Sequence, residues 1–357
     1  MAFGVLFLIP AIMATIFFVL AKRSITLKEF LLQMAIQACI AGISAYIIYN
    51  YNTWDQETLN GTVVSKTREE VSCSHSYECN CYESCSGSGS SRSCSRVCST
   101  CYEHSYDVDW NVNSDIGSST IDRVDRQGLD QPSRWTRAKV GEPYSDSHRY
   151  INYIKAAPDT LFRHQGLVEK YKDKIPNYPD KIFDYYRIDR MITVNKSLPD
   201  LNEWNRNLSD INRDIGQARQ VNMIVVIANN LPIEYFYALE QAWIGAKKND
   251  VVLVIGTNDN NEITWTETMA WTTNQLFKIK LRDQIMDLKT IDREKIISIL
   301  KEEVSSGYIR RPMKDFEYLK ASITPSVSEW VVSLILGILA SIGISYWVYT
   351  QDVFDEE

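Results

Sequence analysis

Three long apolar segments surround one large polar block in this chain. Residues 1–21, 27–50 and 329–350 are each apolar over about the 20 residues that a helix needs to cross a bilayer. The block between the last two segments, residues 51–329, is long enough to bury a core of its own. This pattern predicts a multi-pass membrane protein with three transmembrane helices and one exposed region.

The exposed region begins with a two-residue periodicity. Residues 62–72 are rich in β-branched side chains near their start, and residues 105–112 alternate between polar and large apolar side chains. Alternation is typical of a half-buried strand, and residues 119–124 continue as a further strand. We therefore predict that residues 59–127 form a small antiparallel sheet with a cysteine-rich hairpin at its tip.

Residues 128–198 have a less regular pattern and are interpreted as a linking region. Prolines and glycines interrupt this segment, and aromatic side chains are dense in it. Residues 183–194 alternate in the manner of a strand. The aromatic residues are explained either by packing within the chain or by a surface that binds a partner.

From residue 199 the periodicity becomes orderly. Apolar residues recur every three or four positions over residues 200–218, which predicts a helix. Residues 221–228 and 251–256 are nearly continuous β-favouring runs, as in strands buried on both faces. With the segments between and after them, the predicted order is helix, strand, helix, strand, strand, helix, helix. The predicted fold class is a membrane-anchored α+β protein.

Four short segments in this part of the chain carry a family resemblance. They are the β run at 221–227, the helix end W-I-G-A-K-K-N-D at 243–250, the β run V-V-L-V-I at 251–255 and the pair Gly307–Tyr308. Together they resemble the TPM domain, over residues 199–320. The resemblance implies an α/β domain that a membrane helix tethers on the periplasmic, lumenal or external side. Some TPM domains bind calcium or act as acid phosphatases.

The glycine-rich segment that follows the third strand of TPM domains is replaced here by E-T-M-A-W at 267–271. That loop lies near the site that the family resemblance implies, so whether this chain shares the family's activity depends on the acidic residues that remain. A hard cation such as calcium needs several oxygen ligands. The acidic candidates for such a site are Asp250, Asp259, Glu262 and Glu267. A solvated hairpin turn, T-N-D-N-N at 257–261, explains Asp259 without an ion.

The layout of the whole chain carries a second resemblance. With S-C-S-H-S-Y at 72–77 and C-Y-E-H-S-Y-D-V-D-W at 101–110, it is similar to uncharacterised membrane proteins encoded by tailed bacteriophages. This similarity implies a bacterial or phage origin and a location in the inner membrane. It implies no particular activity.

Seven of the eight cysteines fall within the predicted hairpin. With one histidine they divide into two groups of four, each of the size that a tetrahedral structural zinc requires. The groups are Cys73, Cys79, Cys81 and Cys85, and Cys94, Cys98, Cys101 and His104. Disulfide bonds are the alternative, and they persist in oxidising compartments. Either role is structural, because no cysteine stands beside a plausible catalytic base.

Charge predicts the orientation of the chain in the membrane. The first two apolar segments are joined by the basic loop 22–28, and residues 351–357 carry no lysine or arginine. By the positive-inside rule the loop and the acidic tail are cytoplasmic, and residues 51–329 are periplasmic. That location favours disulfides, whereas the odd number of hairpin cysteines favours zinc. Both interpretations remain open.

Composition and motifs restrict the function. A net charge of −7 and an isoelectric point near 5.3 argue against a nucleic-acid partner, which needs a clustered basic face. No phosphate loop, dinucleotide fingerprint, zinc-protease helix or nucleophile elbow occurs.

We expect a non-catalytic module that binds a protein partner in the envelope, in a phage–host setting. The alternative is a TPM-like phosphatase or metal-dependent hydrolase, which needs the acidic candidates to meet in one cleft.

Overall fold

The computed structural model describes residues 4–20, 25–86, 93–162 and 164–351. Its helices are α1 (Val5–Leu20), α2 (Leu27–Thr53), α3 (Ser133–Arg137), α4 (Tyr153–Ala156), α5 (Gln165–Tyr171), α6 (Leu201–Arg219), α7 (Glu234–Ala242), α8 (Gln275–Asp287), α9 (Arg293–Gly307) and α10 (Val327–Gln351). Its strands are β1 (Trp54–Val71), β2 (Ser76–Ser86), β3 (Ser93–Tyr102), β4 (Asp107–Ser114), β5 (Ser118–Ile121), β6 (Pro143–Ile151), β7 (Met191–Val194), β8 (Asn222–Asn229), β9 (Asp250–Thr257) and β10 (Ile263–Ala270). Short 3-10 helices occupy Pro158–Thr160, Lys172–Lys174 and Met313–Ser322.

Two of the three predicted spans are helices long and apolar enough to cross a bilayer. Helix α2 has 27 residues and α10 has 25. In each helix, only 17% of an 18-residue stretch of high mean hydropathy is buried. Helix α1 has 16 residues, or about 24 Å of length, against a bilayer core of about 30 Å. The prediction of three spans is therefore corrected to two within the described residues. The basic pair 22–23 and the tail 352–357, which carry the predicted orientation, lie outside them.

The three apolar helices form one bundle, in which α1, α2 and α10 all pack against one another. Gln33 and Gln37 lie four residues apart on α2 and donate through Nε2 to Ser345 and Ser341 on α10. The distance from Gln37 Nε2 to Ser341 Oγ is 2.9 Å. Hydrogen bonds of this kind connect helices through polar side chains inside an apolar bundle.

The predicted antiparallel sheet is present and extends beyond residues 59–127. Its strand order is β5-β4-β1-β6. The 18-residue strand β1 pairs with β6 over residues 54–62 and with β4 over residues 63–71. Strand β1 starts directly after α2, and β6 comes from the segment that we interpreted as a linking region. This sheet therefore joins the apolar bundle to the rest of the exposed region.

Two predicted strands differ from the observed ones in their bounds. Strand β5 is Ser118–Ile121 rather than residues 119–124. Of residues 183–194, only Met191–Val194 forms a strand. The reason is a tight turn, in which Asp184 has a left-handed φ of 55°. The backbones on the two sides of this turn hydrogen-bond to each other. Alternation of side chains does not reveal such a turn.

The second sheet has the order β10-β9-β8-β7, with β7, β8 and β9 parallel and β10 antiparallel. Every residue of β8 and β9 is buried, because α6, α8 and α9 cover one face and α7 covers the other. From α6 to α9 the elements follow the order predicted from periodicity. The fold is therefore α+β, with one antiparallel and one mainly parallel four-stranded sheet.

A buried polar cluster joins the two sheets. The guanidinium of Arg190, a residue that is 1% exposed, donates to Asn222 Oδ1 on β8 (3.0 Å), Asn60 Oδ1 on β1 (2.6 Å) and Ser145 Oγ on β6 (3.0 Å). Asn222 Nδ2 donates in turn to Asp250 Oδ1 at the start of β9 (2.9 Å). One amide therefore bridges a buried cation and a buried carboxylate.

Candidate functional site

Strands β2 and β3 pair only with each other among the described strands, and disulfide bonds link them. The bonds are Cys79–Cys101, Cys81–Cys98 and Cys85–Cys94. The disulfide interpretation is therefore supported for six cysteines, and the two predicted zinc groups are not formed. The reason is antiparallel pairing, which places each of these cysteines near one on the opposite strand. Cys39 and Cys73 are the free cysteines of the described chain.

The disulfide hairpin, as we call residues 76–86 and 93–102, has no hydrophobic core. None of its residues with a described exposure is buried, and Tyr77, Tyr82 and Tyr102 are 52%, 62% and 58% exposed. A two-stranded hairpin alone is marginally stable in water. A disulfide contributes about 2–4 kcal/mol by restricting the unfolded chain. The cross-links therefore carry the stability of this hairpin.

The base of the hairpin lies where β1 ends and β4 begins. Val71, the last residue of β1, is the register partner of Asp107, the first residue of β4. The connection from β1 to β2 therefore runs beside the connection from β3 to β4. This arrangement gathers Cys73 and His75 from the first connection and His104 from the second, next to Asp107.

These four side chains form a group able to hold a metal ion, and we call it the base cluster. One ligand atom from each residue lies within 4.8 Å of the others. Cys73 Sγ is 3.7 Å from His104 Nδ1, and that nitrogen is 3.1 Å from Asp107 Oδ1. His75 Nδ1 is 3.8 Å from Asp107 Oδ2. Cys73 and Asp107 are buried, and the two histidines are partly exposed.

Hydrogen bonds fix the Asp107 carboxylate in this cluster. Its Oδ2 accepts from the Ser74 amide (2.9 Å), from Ser74 Oγ (3.1 Å) and from Arg123 Nη1 (2.6 Å). The Ser74 amide, with Arg123 and His104, holds the pKa of Asp107 well below its usual range although burial opposes this. Arg123 also binds Asp109 Oδ1 through Nε (3.1 Å) and Nη2 (2.7 Å). Asp107 is therefore ionised at neutral pH, with Oδ1 directed at His104.

Sequence reasoning identified only half of the base cluster. It placed Cys73 and His104 in different zinc groups and did not include His75 or Asp107. The residues stand in two short spacings, C-x-H and H-x2-D. Neither spacing is informative alone, because the register between β1 and β4 is needed to bring the two together.

The four acidic candidates do not meet in one cleft. Asp250 and Asp259 lie at opposite ends of β9, which runs from Asp250 to Thr257. At about 3.3 Å per residue, more than about 20 Å separates them. Glu262 precedes β10 and Glu267 lies within it. The structure therefore does not assemble these residues as one calcium site.

Two of these carboxylates are explained by the predicted turn. Asp259 Oδ1 accepts from Asn229 Nδ2 (3.1 Å) and Asn230 Nδ2 (2.7 Å). Asn258 Nδ2 donates to Glu262 Oε2 (2.6 Å). Side-chain amides donate hydrogen and cannot ligate through these atoms. The contacts therefore stabilise the β9–β10 connection without an ion.

Asp250 is enclosed in the protein. It is 0% exposed and accepts from Tyr178 Oη (2.6 Å), Asn222 Nδ2 (2.9 Å) and the Lys247 amide (2.8 Å). Burial raises the pKa of Asp250 to about 6, against the effect of these hydrogen bonds. A carboxyl enclosed in this way has a structural role.

The groove beside Tyr178 does not hold a catalytic set. It has a volume of about 410 Å³ and is lined in part by Asp55, Lys155, Lys172 and Lys247. Lys247 Nζ lies 2.6 Å from Asp55 Oδ1, so these two charges are paired. The described residues that line the groove include no serine, cysteine or histidine. They therefore offer none of the usual nucleophile–base pairs.

No family model, no curated protein and no solved structure matches this chain. The resemblances to TPM domains and to phage-encoded membrane proteins therefore stay predictions. The function has to be inferred from the geometry of the chain itself, in which the disulfide hairpin and the base cluster are the most distinctive features.

Proposed function

We propose that this protein is an integral membrane protein that presents residues 51–329 on the periplasmic side, where the disulfide hairpin binds a protein partner in the envelope. The chain is non-catalytic in this proposal. A setting in phage–host interaction follows from the resemblance to phage-encoded proteins, and the TPM resemblance adds an anchored domain on the same side.

The observation that carries the proposal is the disulfide hairpin. Three disulfides link two strands that bury no described side chain. Disulfides persist in secreted and periplasmic environments and are rare in the cytosol. A hairpin that depends on them therefore supports the proposal that residues 51–329 face an oxidising compartment.

The way the helices meet the exposed region supports anchoring from one side. Helix α2 runs directly into β1, and α10 begins shortly after the last 3-10 helix. Asn52 Nδ2 donates to Glu329 Oε2 across 3.2 Å, so the end of α2 lies beside the start of α10. Both helices therefore leave the exposed region at the same place, as a protein with one domain on one side of a bilayer requires.

The surface of the hairpin supports partner binding. Tyr77, Tyr82 and Tyr102 are more than half exposed, and Val97, the register partner of Tyr82, is 39% exposed. Tyrosines supply much of the binding energy at protein interfaces. The cross-links hold the strands that carry these side chains, which lowers the entropy lost on binding.

The hydrolase alternative receives no support from the site. Its acidic candidates are spread over both ends of β9 and over β10, and Asp250 is fully enclosed. Calcium accordingly has no assembled set of ligands among the described residues. Zinc remains in the proposal only at the base cluster, because the other six hairpin cysteines are in disulfides.

A test of the compartment uses a membrane-impermeant maleimide on cells whose chain carries Cys39→Ser and Cys73→Ser. These changes leave only the six disulfide cysteines. We expect no labelling of intact cells before reduction and a multiple mass shift of the chain after reduction. Labelling that needs permeabilised cells, and that needs no reduction, would place the hairpin in the cytoplasm and contradict the proposal.

A test of partner binding uses a photo-crosslinking residue in place of Tyr82. We expect a covalent adduct with a defined partner in intact cells, and its loss when the cells are reduced before irradiation. The matched control is the same replacement at Tyr318, because both tyrosines are 62% exposed. Equal adducts at both positions, or none at Tyr82, would count against the hairpin as the binding surface.

A further inference from the structure

We propose that the base cluster, Cys73, His75, His104 and Asp107, binds one zinc ion as a closed tetrahedral site. The inference depends only on the geometry at the base of the hairpin. It therefore holds whether or not the hairpin binds a protein partner.

The distances suit this coordination. Zinc bonds of about 2.3 Å to sulfur and about 2.0–2.1 Å to nitrogen and oxygen place neighbouring ligand atoms about 3.2–3.6 Å apart. Three pairs of atoms in the cluster are separated by 3.1 Å, 3.7 Å and 3.8 Å, the last from His75 Nδ1 to Asp107 Oδ2. The widest pairs of ligand atoms lie within 4.8 Å of each other, so they must approach by about 1 Å when the ion binds. Rotation of the two histidine rings, which are both partly exposed, allows this approach.

The charges also suit a divalent ion. A Cys73 thiolate and the Asp107 carboxylate neutralise Zn²⁺, and the two histidines bind as neutral imidazoles. Arg123 contacts only the Oδ2 side of Asp107 and is itself paired with Asp109. Ligating carboxylates are usually held by hydrogen bonds from outside the metal site. The Ser74 and Arg123 bonds supply that support.

The donor set selects zinc over harder cations. Thiolate and imidazole are softer ligands than the oxygen atoms that calcium and magnesium require. Four protein ligands leave no open position, which is typical of a structural rather than a catalytic zinc. When zinc binds, the thiol proton of Cys73 leaves to solvent and a sulfur–zinc bond forms.

The site accounts for the one hairpin-region cysteine outside a disulfide. In an oxidising compartment a thiol is exposed to oxidation, and the other six cysteines of this region are already paired. Coordination keeps Cys73 as a thiolate. The ion also ties the β1–β2 connection to the β3–β4 connection, so it fixes the direction of the hairpin relative to the sheet.

The test measures zinc binding by the full chain in detergent, in a Cys39→Ser background. We expect one zinc ion per chain. Loss of a residue that only supports a ligand typically weakens metal binding about 10-fold to 100-fold. We therefore expect Cys73→Ser and His104→Ala to weaken zinc binding by about 100-fold or more. The matched control is His148→Ala, because His148 Nδ1 also lies 3.1 Å from a carboxylate, that of Glu57, away from the cluster.

A second measurement uses the unaltered cluster, so that it does not depend on the folding of a variant. In the same Cys39→Ser chain, Cys73 is the one free thiol of the described residues. We expect zinc to slow its alkylation and a chelator to restore the rate. Alkylation at equal rates with and without zinc overturns the proposal. A His104→Ala chain that binds zinc as tightly as His148→Ala overturns it as well.

Discussion

Replacing Arg190 by methionine is expected to lower the free energy of unfolding by about 3–5 kcal/mol, because several buried acceptors lose their charged donor at a cost of about 1–3 kcal/mol each. Arg190 is 1% exposed and Asp250 is 0% exposed. The change removes the attraction between Arg190 and Asp250, leaves Lys247 as a cation that acts on Asp250, and removes the hydrogen bonds to Asn60 and Ser145. Chemical unfolding of the detergent-solubilised chain, followed by tryptophan fluorescence, measures the loss.

The loss is expected to be larger at pH 8 than at pH 5. Burial lowers the pKa of Arg190 to about 10 and raises that of Asp250 to about 6, so both groups are charged at pH 7. An acid whose pKa is raised by folding reduces stability as the pH rises through its folded-state pKa. Without Arg190, Asp250 escapes the cost of a buried charge by taking up a proton at pH 5, and it cannot do so at pH 8.

Two further variants test this interpretation. Adding Asp250→Asn to Arg190→Met removes the buried carboxylate charge that Arg190 no longer offsets, so part of the stability is expected to return in a double-mutant cycle. The matched control is Arg282→Met, because Arg282 pairs with Asp283 at the surface and its loss should change stability by less than about 1 kcal/mol. An Arg190→Met chain as stable as the Arg282→Met chain would contradict a role for the cluster in joining the sheets.

Reduction of the disulfides is expected to unfold the hairpin and leave both four-stranded sheets folded. The hairpin buries no described side chain, and no hairpin residue belongs to the hydrophobic cores of the sheets. Losing one disulfide lowers the stability of the folded hairpin by about 2–4 kcal/mol. This change corresponds to a roughly 30-fold to 1,000-fold larger unfolded population. Cleavage in the hairpin should therefore accelerate by at least that factor.

Trypsin provides a direct measurement of this local unfolding. Arg96 is the one basic residue within the described strands of the hairpin, and mass spectrometry follows cleavage after it. The Cys81→Ala, Cys98→Ala chain is compared with Cys39→Ala, which removes a thiol outside any disulfide. If Arg96 stays protected after full reduction, or if the sheets unfold together with the hairpin, the hairpin is not an independent unit held by its cross-links.

Local patterns in the sequence were sufficient for most elements of the exposed region. The helix–strand order from α6 to α9 follows from three- and four-residue spacing and from the continuous apolar runs of β8 and β9. Each of these signals depends on residues close together in the chain, so each is readable without the fold. Where a turn interrupts an alternating segment, as at Asp184, the same reasoning fails.

Apolar length and cysteine spacing predicted a membrane protein with a hairpin held together by its cysteines, but they left zinc and disulfides equally open. Tertiary structure decided between them through strand register. Pairing β2 with β3 joins six cysteines across the hairpin, and pairing Val71 with Asp107 brings Cys73 to two histidines and a carboxylate. The tertiary structure also separates Asp250 from Asp259, and it places Asp250 in the buried polar cluster with Arg190. These outcomes depend on contacts between residues far apart in the chain, which no local spacing specifies.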